Sequence, residues 1–227
     1  IGPLGILLFG RLTAPVRAEE HEGGKKSSFV FKAEVGHEAV SEFGSKEDAP
    51  VGGMFVEFER GRLMVSGEFV AATKGSGYER EIAGRVGLKL AHHHVVYAGY
   101  TRLASLGEAK RHVSIEGHNL EVDVERHLSF HGPEIGLLEV WHHKRVSYHG
   151  GVEVYPAMRF GLGEESTHLG LKVAERGLAF GLRYEGLVGL RVYRGLGLEF
   201  GISRTDLYGG DERSTRITPS MRTTLKF

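Results

Sequence analysis

From Phe29 onward, apolar and polar side chains alternate along the chain. Phe29, Phe31, Ala33 and Val35 fall on one side of an extended segment, with Lys32 and Glu34 on the other. Met54, Val56 and Phe58 repeat the pattern opposite Glu57, and Leu63, Val65 and Phe69 repeat it opposite Ser66 and Glu68. A period of two places successive side chains on opposite faces of a β-strand, so these stretches predict half-buried strands.

The second face decides what kind of sheet this is. Ile82, Val86, Leu88 and Leu90 oppose Ala83, Arg85, Gly87 and Lys89, while Leu178, Phe180, Leu182 and Tyr184 oppose Ala179, Gly181 and Arg183. Leu190, Val192, Leu196, Leu198, Phe200 and Ile202 likewise oppose Gly189, Arg191, Gly197, Glu199 and Gly201. A soluble sandwich, or a lipocalin-like carrier, needs only one apolar face and turns its charges to bulk water. Glycine mixed with charge instead suits the crowded interior of a barrel whose apolar side faces lipid.

Short turns are expected at Arg60-Gly61, Gly117-His118 and Glu175-Arg176. They would set Phe58 against Leu63, Ile115 against Leu120 and Val173 against Leu178. Longer polar stretches, 41–52, 73–77, 104–110, 161–167 and 205–214, are expected as loops on the opposite rim. At Tyr193-Arg194-Gly195 a three-residue turn would pair Val192 with Leu196 and spare Arg194 from lipid, yet leave a short strand before it. The fold expected is an all-β, transmembrane, antiparallel up-and-down barrel over 29–227, with about 12 strands in a range of 10 to 14.

Composition narrows this further. Lys and Arg together number 29, as do Asp and Glu, so no basic excess points to nucleic acid. The 34 glycines suit a strongly curved sheet, and the absence of cysteine excludes disulfides and thiolate metal sites. Beyond the N-terminus no apolar run is long enough for a membrane-crossing helix. Leu4 to Gly10 reads as the apolar core of a signal peptide whose precursor began further upstream. Ala14-Pro15-Val16-Arg17-Ala18 supplies the small residues for cleavage after Ala18. Residues 19–28 read as a polar periplasmic lead-in.

In the final segment Ile217, Met221, Leu225 and Phe227 alternate with Arg216, Thr218, Ser220, Arg222, Thr224 and Lys226; Pro219 and Thr223 occupy two of the apolar places. This strand resembles the C-terminal signal strand of bacterial outer-membrane β-barrel proteins. The resemblance implies residence in the outer membrane, in contact with its lipid. It also implies that Met221, Leu225 and Phe227 form an assembly signal read by the barrel assembly machinery.

Three sets of residues could carry chemistry. His92-His93-His94 and His142-His143 are adjacent along strands, so their side chains diverge and a metal is not expected. His112, Ser114 and Glu116 share one strand face, beside Glu121, Asp123 and Glu125 on the hairpin partner. That is the grouping of a nucleophile, a base and an orienting acid, similar to the outer-membrane lipid A deacylases; Ile115 stands where their Asn is expected. The commonest feature is mixed charge on the inward face: Glu68, Arg85, Lys89, Arg102, Glu153, Lys172, Arg183, Arg191, Glu199, Arg216 and Arg222. Buried charges must pair or meet water, so such a lumen is a salt-bridged plug or a hydrated pore. The leading expectation is a narrow passive channel for small polar or anionic solutes, with no cofactor. A closed structural or adhesive barrel binding an envelope partner through its loops, and a lipid hydrolase, are the alternatives.

Overall fold

In a computed structural model, the chain forms ten antiparallel strands, each paired with its sequence neighbours, and β1 pairs with β10 to close the barrel. The strands are β1 Ser27–Glu42, β2 Ser45–Arg60, β3 Leu63–Lys74, β4 Gly77–Lys89 and β5 His94–Ile115, followed by β6 His118–His143, β7 Val146–Glu165, β8 Lys172–Tyr193, β9 Leu196–Gly209 and β10 Glu212–Lys226. The residues described are 27–42, 45–74, 77–90, 93–115, 118–166, 170, 172–193, 195–209 and 212–227. The expected signal peptide and most of the lead-in lie outside them; Ser27 and Ser28 already belong to β1.

The alternating pattern orients the wall as expected. Met54, Val86, Leu88, Ile135, Leu137, Val188, Phe200 and Ile202 are all exposed and point away from the barrel axis. Phe29, Phe58, Trp141, Tyr148, Tyr193 and Phe227 ring the short-turn end, and Tyr78, Phe180 and Tyr208 stand near the other. An apolar outer band between aromatic girdles is the surface of a barrel embedded in lipid.

Ten strands form, two fewer than the central expectation of twelve and at the lower end of its range, because polar stretches beyond the bilayer continue as strand where chain reversals were expected. β5 runs straight through 104–110 and β8 through Glu175 and Arg176, which pair with Leu162 and Gly161. The stretches 41–52, 161–167 and 205–214 are also mostly strand. Beyond the bilayer a paired strand needs no apolar face, so its sequence turns polar while its ladder continues.

Register is corrected at the hairpins as well. The first tight turn is Gly61-Arg62, with Gly61 at φ 64°. Arg60 therefore pairs with Leu63, and Phe58 opposes Val65. His118 pairs with Ile115, so Leu120 opposes Val113. Tyr193 pairs with Leu196 after a register shift beginning at Arg191, and β8 before it is 22 residues long. Arg194 lies outside the described residues.

Strand length is uneven. β3 and β4 have 12 and 13 residues, against 22, 26, 20 and 22 for β5 to β8. Roughly 9 to 11 residues cross a bilayer. The turn ends are level, so the surplus of β5 to β8 rises as a ridge at the other end. Near its tip Lys110 pairs with Glu121, which raises the lysine pKa from its ordinary value.

Inside the wall, close approach fixes some glycines. Gly136 faces Tyr97 across the β5–β6 ladder, and a Cβ there would overlap the phenol ring. Gly136→Ala is expected to lower unfolding stability by about 1–3 kcal/mol through overpacking. Gly186→Ala, with nothing within 4 Å of the added Cβ, should be near neutral. Urea midpoints of the two variants, refolded in the same detergent, provide the comparison.

Candidate functional site: a charged belt across the lumen

Odd-numbered positions of β4, β8 and β9 and even-numbered positions of β3 and β10 point inward, which brings ionisable residues from distant hairpins to one level. Arg85 on β4 lies 2.5 Å from Glu68 on β3, 2.7 Å from Glu134 on β6 and 3.5 Å from Glu153 on β7. Arg183 on β8 reaches across the lumen to Glu81 at 3.2 Å and Glu68 at 3.5 Å, with Glu185 at 3.6 Å and Glu153 at 3.9 Å. Arg222 on β10 continues the belt to Glu185 at 2.8 Å and Glu34 at 3.2 Å. Three guanidinium groups thus stand among six carboxyls. Tyr97 and Tyr155 donate their hydroxyls to Glu153 at 2.6 and 2.8 Å. Glu134 is fully buried, and Arg85 and Arg183 nearly so.

Above the belt, Arg216 pairs with Glu79, and Glu38 lies 3.9 Å away. The space between these groups and Arg183 is only 30 Å³, about one water's share of the liquid. On the ridge side the lumen is then filled by Leu103, Leu128, Phe130, Met158, Phe160 and Leu207. A barrel of eight strands is just filled by its side chains, and ten strands carrying Arg, Tyr and Phe inward remain in that regime.

Below the belt the interior opens into a vestibule of 880 Å³ at the short-turn end. Lys32, Glu57, Glu59, Lys89, His149, Arg191, Glu199 and Lys226 line it alongside Val30, Met64, Val95 and Leu198. Lys32 pairs with Glu199 at 3.0 Å and Lys89 with Glu59 at 2.5 Å. The Nε2 of His149 has no hydrogen-bond partner among the described residues.

Of the expected lumen residues, Glu68, Arg85, Glu153, Arg183, Arg216 and Arg222 meet in or beside the belt. Lys89, Arg191 and Glu199 line the vestibule. Two were misplaced. Arg102 is exposed on the outer face, because β5 is apolar on both sides, with Val95, Tyr97 and Leu103 inside, so its parity was ambiguous. Lys172 is exposed at the ridge end of β8, 2.8 Å from Glu165, beyond the membrane.

Glu34, Glu81, Glu134 and Glu185 were not singled out from the sequence. Glu81 shares its parity with Arg85, Glu185 with Arg183, and Glu34 with Lys32, so three were within reach of simple counting. Glu134 was not, since a bulge between His131 and Ile135 breaks the count.

The described residues of the two histidine clusters have separate neighbours. His93 stacks on Trp141 at 4.2 Å, His94 lies 3.7 Å from Glu139, and both histidine clusters sit at turns; His92 lies outside the described residues. Among the described residues no group of metal-ligating type converges. Backbone pairing sets His112 opposite Glu121 and Ser114 opposite Asn119. Their side chains lie outside the described part, as does Glu116 entirely. Both stand ten or more residues past Arg102, roughly 30 Å along the strand at 3.3 Å each. Met221 faces outward, and Phe227 exchanges backbone hydrogen bonds with Phe29 at 2.9 and 3.2 Å, with ring centroids 6.3 Å apart. Leu225 pairs with Phe31.

No protein-family model and no curated protein matches the chain. Among solved structures it is similar to the outer membrane protease OmpT from Escherichia coli, with 11% identity and a TM-score of 0.64, covering 88% of this chain and 96% of that one. It also aligns with the translocator domain of the autotransporter NalP from Neisseria meningitidis, with 9% identity and a TM-score of 0.47, covering 92% and 90%. The fold is that of bacterial outer-membrane β-barrels.

The excess of carboxyls over guanidinium groups makes the belt asymmetric to substitution. Arg85→Met strands Glu134 in a dry interior and leaves Glu68 only Arg183, and should cost about 3–5 kcal/mol. Glu134→Gln leaves Arg85 two other carboxylates and should cost less than about 1 kcal/mol. Pairing Glu134→Gln with Arg85→Met should recover part of the loss. Denaturant titration of the three variants measures the coupling.

Proposed function

We propose that this chain is a closed outer-membrane barrel that does not conduct at rest and whose role is to hold the β5–β8 ridge outside the bilayer for contact with an envelope or surface partner. The observation that carries this reading is the double closure of the lumen, by the belt and then by the apolar layer around Met158 and Leu207. A barrel built for passage has no use for a fully buried Glu134. A barrel built as a rigid mount does, because ionic crosslinks between β3, β4, β6, β7, β8 and β10 resist shear of the wall beneath the ridge. Those four strands exceed what a crossing requires by roughly ten residues each.

A passive conduit for small polar solutes is the second reading. The vestibule favours it, since Lys32, Glu57, Glu59, Lys89, Glu199 and Lys226 give its lining charges of both signs. Conduction on this reading requires the belt to part, so ion pairs would act as the gate.

Planar-bilayer recording distinguishes the two. The sealed reading expects no steps from the folded wild-type barrel, and none from an Arg183→Ala variant that retains its fold, since the apolar layer remains. Steady wild-type steps whose ion selectivity changes in Arg183→Ala or Arg222→Ala would establish the conduit instead.

A further inference from the structure

The outer face of β5, β6 and β7 carries a row of basic side chains that the wall does not explain. Arg102 pairs directly with His131, and His131 directly with Arg159, so three basic residues stand side by side across adjacent strands. The two arginines flank His131 with no acidic residue in that rung to balance them. Neither arginine forms an ion pair among the described residues. Two other outward arginines are treated differently: Arg204 and Arg213 bracket Asp206 at 2.9 and 3.3 Å, and Thr215 donates to the same carboxylate at 2.7 Å.

The next outward rung reads Arg80, Ala104, Ser129, Gly161 and Arg176 across β4 to β8, and the one above it Tyr78, Leu106, His127, Gly163 and Ala174. These two rungs line a groove of 360 Å³, which Glu175 also borders. Small residues make its floor, and Arg80 and Arg176 stand at its two ends. Arg102, His131 and Arg159 run along its lower edge. The hydroxyl of Tyr100 lies 2.7 Å from His131 Nδ1.

Height fixes what this set meets. A strand tilted by about 40° climbs roughly 2.5 Å per residue along the barrel axis. Arg102, eight residues from the start of β5, reaches roughly 20 Å. His131 and Arg159, twelve and thirteen residues from their turn, reach roughly 30 Å. Directly paired residues lie only about 5 Å apart, so the row occupies one level within that range of roughly 20 to 30 Å, near where an apolar band about 25 Å tall ends. Tyr100, Ile135 and Leu137, all exposed, lie just below.

We infer that this surface binds a lipid of the ridge-side leaflet through phosphate on its headgroup. Guanidinium groups of Arg102 and Arg159 would take the phosphate oxygens as paired donors, and the body of the headgroup would lie in the groove. A membrane-anchored lipid is favoured over free phosphate because the row sits at the edge of the apolar band, where headgroup phosphates are concentrated. The site is independent of whether the lumen conducts.

The test uses the refolded chain in nonionic micelles, titrated with bisphosphorylated lipid A or with the same lipid after removal of its phosphates. Thermal unfolding is read as loss of the heat-resistant band on gels. The wild-type midpoint should rise with the phosphorylated lipid and not with the dephosphorylated one. Arg102→Gln combined with Arg159→Gln should weaken the apparent affinity by roughly tenfold or more. Arg102→Lys with Arg159→Lys should keep part of it, and Arg204→Gln, on the far side of the wall, should keep all. Equal responses to the two lipids, an unchanged response in the double Gln variant, or an equal rise with inorganic phosphate alone would each overturn the assignment.

Discussion

A guanidinium group cannot be left dry and unpaired, and this barrel carries three of them at the same level of its lumen. Each belongs to a different hairpin, and each finds carboxylates contributed by other strands, so the pairing can be completed only when the wall is closed and in register. Arg183 is the joint of the arrangement, since it reaches Glu68 and Glu81 from the opposite wall. Gly136 beneath the Tyr97 ring, the tyrosines donating into the belt and the small cavity above it all accompany the seating of these charges. A hydrophobic filling of equal volume would hold the wall as well, but it would not specify register so narrowly.

The second organising feature is asymmetry along the axis. Short turns keep one end of the wall level, whereas the strands on one side run on as a ridge at the other. The interior is graded in the same direction, from an open vestibule through paired charge to an apolar layer. The exterior is graded too, from aromatic girdle through aliphatic band to a mixed basic and small-residue surface where β5, β6 and β7 leave the bilayer. The molecule therefore has a distinct inside and outside at both rims, although every strand pairing is of one kind.

Most of this fold was legible in the sequence because a strand crossing lipid must alternate. Val86 and Leu88 opposite Arg85 and Gly87 allow only one orientation of β4. Legibility failed where that requirement lapses. Past the bilayer, Glu175 and Arg176 read as a turn because polar residues adjoin there, yet water tolerates a strand as readily as a bend. It failed again on β5, where apolar residues on both faces hid the parity of Arg102, and at the bulge before Ile135, which removed Glu134 from any count. The belt was thus half visible: its arginines stood out against an apolar strand, whereas several of its glutamates passed as ordinary surface charge.

Nine of the ten strand pairings join neighbours in sequence, and the tenth sets Val30 against Lys226. Hairpins of the first kind close small loops, whereas the seam must bring together the two ends of nearly the whole described chain. Until it does, β1 and β10 are open edges with unpaired amides and carbonyls, able to template the addition of another strand. Sealing the seam is therefore a separate kinetic event, and the interval before it is when the chain is most exposed to pairing with the wrong partner.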